Sequence, residues 1–180
     1  MPDYVETGIS RQIVATRTIY PDPRGHFAEI FRNSDFEIEL PNFIQDNVSY
    51  STQNVLRGMH FQEDQWQVLT VLFGSILDIT IDIDETSPTF LSTNVVEMNI
   101  DSRNQLIIPP GVAHGFCVTS NEVVLHYKSS KYYGETKQFG IAWNSEQLKN
   151  LWPQKQWILS ERDLNFPHLN DLWTDVLDEN

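Results

Sequence analysis

The sequence ILDITIDI, from Ile76 to Ile83, decides the fold class of this chain. From position 77 onward its odd-numbered residues are Leu or Ile, and its even-numbered residues are Asp, Thr and Asp. This period of two, rich in β-branched side chains, predicts a half-buried β-strand. A second apolar run, residues 68–73, comes just before it, and Gly74-Ser75 between the two runs predicts a two-residue hairpin. The centre of the chain is therefore expected to form a sheet.

Short strands predominate in the rest of the pattern. Further strands are predicted at 94–100, 105–108 and 123–127, where apolar runs lie between turn residues. Three short helices are predicted, with caps of the Asn or Ser type before the first two; they span residues 33–40, 145–151 and 169–177. Because no long amphipathic helix follows each strand, the pattern favours an antiparallel sandwich or barrel over a parallel α/β fold.

Length and composition restrict the class of protein. The chain has 180 residues, 40% hydrophobic and 21% charged, which suits one globular domain spanning residues 1–180. Its net charge of −13 repels phosphate backbones, so we expect no nucleic-acid partner. There is no apolar run of about 18 residues, so we expect no membrane span. A single cysteine, Cys117, and an N-terminus without a signal-peptide pattern predict a cytoplasmic protein.

The five histidines raise the question of a metal site. Small barrels of the cupin type often bind a metal with His-x-His on one strand and a later His after a Pro-Gly turn. Pro110-Gly111 followed by His114 fits the later half, but His60 is followed by Phe61 and Gln62 rather than by a second histidine. Zn²⁺ prefers three or four protein ligands. We therefore expect no metal and no other cofactor.

General acid–base catalysis is the other chemistry open to His60. No P-loop or dinucleotide-binding glycine pattern occurs in the chain. If residues 57–62 form a strand, Arg57 and His60 would point to opposite faces unless Gly58 marks a bulge. From the residues alone, a satisfied core or surface imidazole is favoured over a catalytic one.

Six motifs in one order then indicate a family. DPRGHFAEIFR begins at Asp22, QDNVS at Gln45, NVLRGMHFQ at Asn54 and IPPGVAHGF at Ile108, and GIAWN and LSERD follow Tyr132-Tyr133. This series resembles the dTDP-4-dehydrorhamnose 3,5-epimerase family, roughly from residue 22 to residue 167. The resemblance implies a mostly β fold, a double-stranded β-helix (cupin-like jelly roll) with a few short helices.

The resemblance also implies a reaction and a site. The reaction would be metal-free epimerisation at C3, C5 or both of a nucleoside-diphosphate 4-keto-6-deoxyhexose, performed by a homodimer in deoxysugar biosynthesis. His60 would be the base, Asp163 would orient it, and Tyr133 would be the acid on the opposite face of the sugar. The remaining implied residues would bind the substrate, partly across the dimer: Arg24, Phe27, Glu29, Gln45, Asn47, Arg57, Gln67, His114 and Arg162.

These roles are chemically coherent. A C–H beside a ketone is acidic because its anion is an enolate, and epimerisation removes that proton from one face and returns one to the other. The best base has a pKa near ambient pH, which histidine meets with little tuning. A carboxylate on the far ring nitrogen fixes the tautomer and stabilises the imidazolium.

Departures from the family keep alternatives open. Gln67 stands where the family usually has a lysine, Thr70 stands where it has an arginine, and the loop after His60 is short and acidic. A single-centre epimerase, an epimerase of a different keto-sugar, and a non-catalytic sugar-binding cupin are the alternatives, and the nucleobase is open. Phe27, Phe116, Trp143 and Trp152 also suit the core better than a base-stacking platform.

Overall fold

The structure is a computed structural model that describes residues 3–36, 38–135 and 137–172. Strands make up most of its regular structure. They are β1 (Asp3–Glu6), β2 (Ile13–Thr16), β3 (Ile19–Asp22), β4 (Gly25–Ala28), β5 (Gln45–Thr52), β6 (Leu56–Phe61), β7 (Gln67–Phe73), β8 (Ser75–Asp82), β9 (Thr93–Asn99), β10 (Asn104–Ile108), β11 (Val112–Val118), β12 (Glu122–Ser129) and β13 (Phe139–Gly140). A single turn of α-helix, α1 (Glu161–Leu164), and two 3₁₀ turns, Asn33–Asp35 and Leu169–Asp171, complete the elements.

Two antiparallel sheets form the body of the fold. The first has the order β1-β2-β10-β7-β12-β5, and the second has the order β13-β6-β11-β8-β9. Apolar side chains from both sheets pack against one another, for example Leu69 and Leu125 from the first with Ile76 and Phe116 from the second. This is the mostly β, cupin-like jelly roll that the sequence predicted. The hairpin of β3 and β4 forms a separate two-stranded sheet.

Two irregular segments cover the outer faces of the sheets. The segment that follows β4 places Phe36 and Leu40 against Val68 and Ile107 of the six-stranded sheet. The segment after β13 places Trp152 and other apolar side chains on the outer face of the five-stranded sheet. Each sheet is therefore apolar on both faces over much of its area, and the C-terminal segment is held where Asp163 can reach β6.

The predicted hairpin at Gly74 is wrong. β7 belongs to the six-stranded sheet and β8 to the five-stranded sheet, so the chain crosses between sheets at this point. Gly74 has a φ of +79°, and a Cβ on it would lie 2.0 Å from the carbonyl oxygen of Glu122. The glycine therefore provides a corner between layers, which the sequence cannot distinguish from a tight hairpin turn.

The polar face of the strand around Ile79 is not half-exposed as predicted. Asp78, Thr80 and Asp82 are all buried, because this face of β8 points into the space between the sheets. Thr80 Oγ1 donates to Gln12 Oε1 at 3.3 Å, and Asp82 accepts a hydrogen bond from Thr89 Oγ1 at 2.7 Å. Alternation identified two different faces, but each of these three side chains has at least one hydrogen-bond partner inside the protein.

The helix predictions are largely wrong in extent. Within the first predicted helix, 33–40, only the 3₁₀ turn Asn33–Asp35 forms, and the second, 145–151, is replaced by turns. Of the third predicted helix, 169–177, the described part contains only the 3₁₀ turn Leu169–Asp171, and residues 173–177 lie outside that part. The α-helix that does form was not predicted, although Ser160 caps it by accepting from the Asp163 N–H at 3.1 Å. No helix among the described residues is long and apolar enough to cross a membrane.

Candidate active site

A cavity of about 440 Å³ opens between the two sheets. Strands of both sheets and the loop between β12 and β13 supply its walls. Eight of the predicted site residues line it: Gln45, Asn47, Arg57, His60, Gln67, His114, Tyr133 and Arg162. These residues are spread over some 120 positions of the chain, so only the folded sheets bring them together.

The bulge at Gly58, which the sequence left open, is present. In the pairing of β6 with β11, His60 lies opposite His114 and Arg57 lies opposite Phe116, so β6 contains one extra residue. Both Arg57 and His60 consequently line the cavity. Gly58 has a φ of +119°, and a Cβ there would lie 2.5 Å from the Cα of Gly115, so glycine is required for the close approach of the two strands.

His60 and Asp163 form the central pair of the site. His60 Nε2 lies 2.8 Å from Asp163 Oδ1, and the Gly58 N–H donates to Asp163 Oδ2 at 3.3 Å. Burial raises the pKa of Asp163, but the hydrogen bonds from His60 and from Gly58 outweigh it and hold that pKa below its usual value. The ionised carboxylate only accepts, so it places a proton on Nε2 and leaves Nδ1 of His60 with a free lone pair.

A second histidine–carboxylate pair lies beside the first. His114 Nδ1 lies 3.3 Å from Asp78 Oδ2, and both side chains are buried. Complete burial raises the pKa of Asp78, against the opposing effect of His114. Sequence reasoning missed Asp78, because its partner is 36 residues away and only the register of β8 with β11 brings them together.

Two guanidinium groups in the cavity are held by neutral partners. Arg57 Nε donates to Ser51 Oγ at 2.9 Å, and Arg162 Nη1 donates to Gln138 Oε1 at 2.7 Å. Neither bond uses a carboxylate, so both positive charges stay available to an anionic ligand.

Two phenols line the cavity with different environments. Tyr127 is mostly buried, its hydroxyl lies 3.0 Å from Ser49 Oγ, and burial raises its pKa to about 12. The side chain of Tyr133 is 82% exposed, and its backbone N–H donates to Gln45 Oε1 at 2.7 Å. Tyr133 therefore extends over the open side of the cavity, where a ligand or a second chain could cover it.

Three predicted binding residues do not reach this cavity. Arg24, Phe27 and Glu29 lie on or beside the β3–β4 hairpin, where Arg24 pairs with Asp22. Phe27 is 69% exposed, so its interpretation as a core residue is wrong, whereas Phe116 and Trp152 are buried. The fourth aromatic of that interpretation, Trp143, packs partly buried against the core. Within one chain, the hairpin and the His60 pair are separate.

Several cavity residues were missed by the sequence analysis. They are Gln62, Gln65, Phe116, Tyr127, Ser129, Lys131, Gly134 and Gln138. Strand alternation could have found some of them, since Gln62 follows His60 by two residues, and Ser129 and Lys131 follow Tyr127 in steps of two. In the described part of the chain, no group of three or more His, Cys, Asp or Glu residues is arranged to hold a metal ion.

Comparison with known proteins agrees with this geometry. The family model described as dTDP-4-dehydrorhamnose 3,5-epimerase matches residues 6–171. The chain belongs to this family. It is therefore an isomerase, specifically a carbohydrate epimerase. The dTDP-4-dehydrorhamnose 3,5-epimerase of Escherichia coli is 36% identical to it, with 93% of this chain and 95% of that protein covered.

Solved structures of epimerases have the same fold. A dTDP-6-deoxy-D-glucose-3,5-epimerase from Legionella pneumophila, in complex with dTDP-4-keto-L-rhamnose, superposes with a TM-score of 0.89 at 34% identity and covers 98% of this chain and 97% of its own. The dTDP-4-dehydrorhamnose 3,5-epimerase of Bacillus anthracis, with TDP and pyrophosphate bound, gives 0.88 at 32% identity, with 94% and 100% covered. These superpositions cover nearly the whole of each chain, so both sheets are arranged as in these relatives.

Proposed function

We propose that this protein epimerises a dTDP-4-keto-6-deoxyhexose at C3 and C5, through an enolate, in deoxysugar biosynthesis. The observation that carries the proposal is the His60–Asp163 pair, joined at 2.8 Å, with the imidazole opening into a cavity that also holds cationic side chains and Tyr133. The dTDP-4-keto-L-rhamnose bound to the Legionella relative and the TDP bound to the Bacillus relative support the nucleotide.

His60 is the proposed base. With Asp163 holding the proton on Nε2, the lone pair on Nδ1 takes the proton from the carbon beside the ketone. The resulting imidazolium is stabilised by the carboxylate, whose pKa is already lowered by hydrogen bonds from His60 and Gly58 that outweigh its burial. Proton transfer by a positioned group is worth roughly 10²- to 10⁴-fold in rate.

Tyr133 is the proposed acid on the opposite face of the ring. Its exposed phenol lies at the rim of the cavity, and the Gln45 side chain holds its backbone in place. Tyr127, with its pKa raised to about 12 chiefly by burial, stays protonated and is suited to donating a hydrogen bond rather than a proton. The developing oxyanion is met by donors of the cavity wall, among them His114 and Arg57.

A homodimer completes the proposed site. The exposed ring of Phe27 and the hairpin residues Arg24 and Glu29 do not reach the cavity of their own chain, which fits a role in a partner's cavity. β5 is an edge strand of the six-stranded sheet, and its Val48 and Tyr50 are exposed. An unpaired edge strand with exposed apolar side chains is a surface suited to a second copy of the chain.

Deuterium wash-in tests the reaction. The protein is incubated in D₂O with dTDP-4-keto-6-deoxyglucose, and exchange at C3 and C5 is followed by NMR. We expect exchange at both carbons. Exchange at one carbon would indicate the single-centre alternative, and exchange at neither would refute the epimerase assignment in favour of a sugar-binding protein.

A pair of histidine variants tests the role of His60. His60→Asn should lose at least about 10²-fold in exchange rate while dTDP binding persists, as expected for a base. His126→Asn is the matched control, because His126 also faces a carboxylate, Asp46 at 3.0 Å, but on the outer face of the sheet. Equal exchange rates for the two variants would exclude His60 as the base.

A further inference from the structure

The cavity is positively charged in a strongly negative protein. Arg57, Lys131 and Arg162 line it, and among the described residues of its lining there is no Asp or Glu, although the chain carries a net charge of −13. We propose that Lys131 binds the diphosphate of the nucleotide-sugar, and that Asp64 holds it at the cavity mouth until the ligand enters. This inference rests on the proposed function, because it takes the nucleotide-sugar as the ligand.

Lys131 differs from the two arginines in how it is held. The arginines donate short hydrogen bonds to neutral groups of the protein, whereas Lys131 Nζ lies 3.7 Å from Asp64 Oδ2. That separation exceeds the 2.7–2.9 Å or so of a charge-assisted hydrogen bond, and both side chains are exposed. Exposed pairs of this kind are weak, so an anion of higher charge can draw Lys131 away from Asp64 at little cost.

Hydrogen bonds join two loops at Ser130, the residue before Lys131. The Trp66 N–H donates to Ser130 Oγ at 2.9 Å, and the Ser130 N–H donates to the Trp66 carbonyl oxygen at 3.1 Å. This pair of bonds ties the acidic loop after β6 to the loop after β12. The backbone of Lys131 is therefore fixed at the cavity rim, while its long side chain retains the reach to turn from Asp64 towards a ligand.

The wall beside Lys131 has no charge of its own at the start of β7. Gln67 pairs with Ser129 in the β7–β12 ladder, and its amide donates to Gln62 Oε1 at 2.8 Å. That bond joins two neutral, buried side chains. Lys131 lies two residues beyond Ser129, so among the three cations that line the cavity it is the nearest along the chain to this neutral part of the wall. A charged donor binds a phosphate oxygen about twice as strongly as an amide does.

Binding measurements on lysine variants test the inference. We expect Lys131→Gln to weaken dTDP binding about tenfold in calorimetry at low salt, and to raise KM for the dTDP-sugar similarly while kcat changes less than threefold. Lys131→Arg should stay within threefold of wild type. Lys149→Gln is the matched control, because Lys149 is equally exposed at 44% and also pairs with a carboxylate, Glu146, away from the cavity.

The role of Asp64 has its own variant. Asp64→Asn should tighten dTDP binding about twofold, since it frees the lysine and removes a negative charge from the rim. Weaker binding by this variant would contradict the holding role.

Clear results would overturn the Lys131 proposal. Binding by Lys131→Gln within twofold of Lys149→Gln would do so, as would failure of the wild type to bind dTDP. A loss in kcat with unchanged KM would also overturn it, since the lysine would then act at the reacting carbon. Wild-type dTDP binding without proton exchange would instead refute the proposed reaction and leave the lysine's role standing.

Discussion

Replacing Asp163 by Asn tests how the site activates His60. The variant keeps the size of the side chain but removes the charge and changes one oxygen into a donor. Asp163 Oδ1 lies 2.8 Å from His60 Nε2 and Oδ2 accepts from the Gly58 N–H at 3.3 Å, so an amide can satisfy only one of these donors. With the amide nitrogen towards the ring, the imidazole proton moves to Nδ1, and the base loses its lone pair on the cavity side.

The magnitude follows from the contacts that are lost. A hydrogen bond to a charged group is worth about 1.5–3 kcal/mol, and this one is shielded because Asp163 is only 5% exposed. Loss of about 3 kcal/mol from the imidazolium state corresponds to roughly a 10²-fold lower rate of proton abstraction. The wrong tautomer adds to this, so a loss of 10²- to 10³-fold is expected.

The assay is exchange in D₂O followed by NMR, with the affinity for dTDP measured in parallel. We expect the exchange rate to fall by the stated factor and the dTDP affinity to change less than threefold. Asp101→Asn, in an exposed turn after β9, is the control for loss of one negative charge. An exchange rate for Asp163→Asn within threefold of this control would refute the idea that the carboxylate activates His60.

Four further outcomes are expected. Tyr133→Phe should lower the rate of double epimerisation by at least about tenfold. Proton removal by His60, measured as C–H exchange, should be less affected, because the variant removes only the phenol hydroxyl of the proposed acid. An equal loss in both rates would argue against an acid role. Gln67→Lys should raise activity on the dTDP-sugar if the absence of a cation beside Gln62 limits that activity. Lower activity of the variant would mean that the cavity is suited to a neutral contact at this position. Gly58→Ala should destabilise the protein by about 2 kcal/mol or more in urea unfolding, since the added Cβ would lie 2.5 Å from the Gly115 Cα. Gly8→Ala is the control, because a Cβ added there would have no atom within 4 Å. Folding lowers the pKa of Asp163, so the stability that this carboxylate contributes is present above its unfolded pKa of about 3.9 and is lost as pH falls through the folded pKa. The unfolding free energies of wild type and Asp163→Asn should therefore converge below about pH 3.9 rather than diverge.

Much of the fold was accessible from the sequence because strand alternation is local. The alternation at 76–83 predicted β8, and the apolar runs near 94, 105 and 123 predicted β9, β10 and β12 within two residues at each end. The N-terminal strands β1 to β4 were not predicted, since each has only four residues and their side chains are mixed. The parity of Arg57 and His60, which is also a local argument, left open whether Gly58 marks a bulge, and the structure shows that it does.

Only part of the site could be predicted from the sequence. Motifs pointed to eight residues that line the cavity, and period-two alternation continued past the ends of β6 and β12 could have added Gln62 and Lys131. Asp78 could not have been found in this way, because a buried carboxylate and its histidine are brought together by the register of two strands. The assignments of His60, Tyr133 and Asp163 as catalytic residues remain predictions for the variants above.

The sequence by itself determined the fold class and the family, because alternation and motif spacing depend on neighbours along the chain. Only the tertiary structure decided that Gly74 turns between layers, that the polar face of β8 is buried, and that Asp163 meets His60 across 103 residues. It also separated Phe27 from the cavity and placed Lys131 beside Asp64. These outcomes depend on which strands pair and in what register, and pairing energy belongs to contacts between distant segments rather than to any one stretch of sequence.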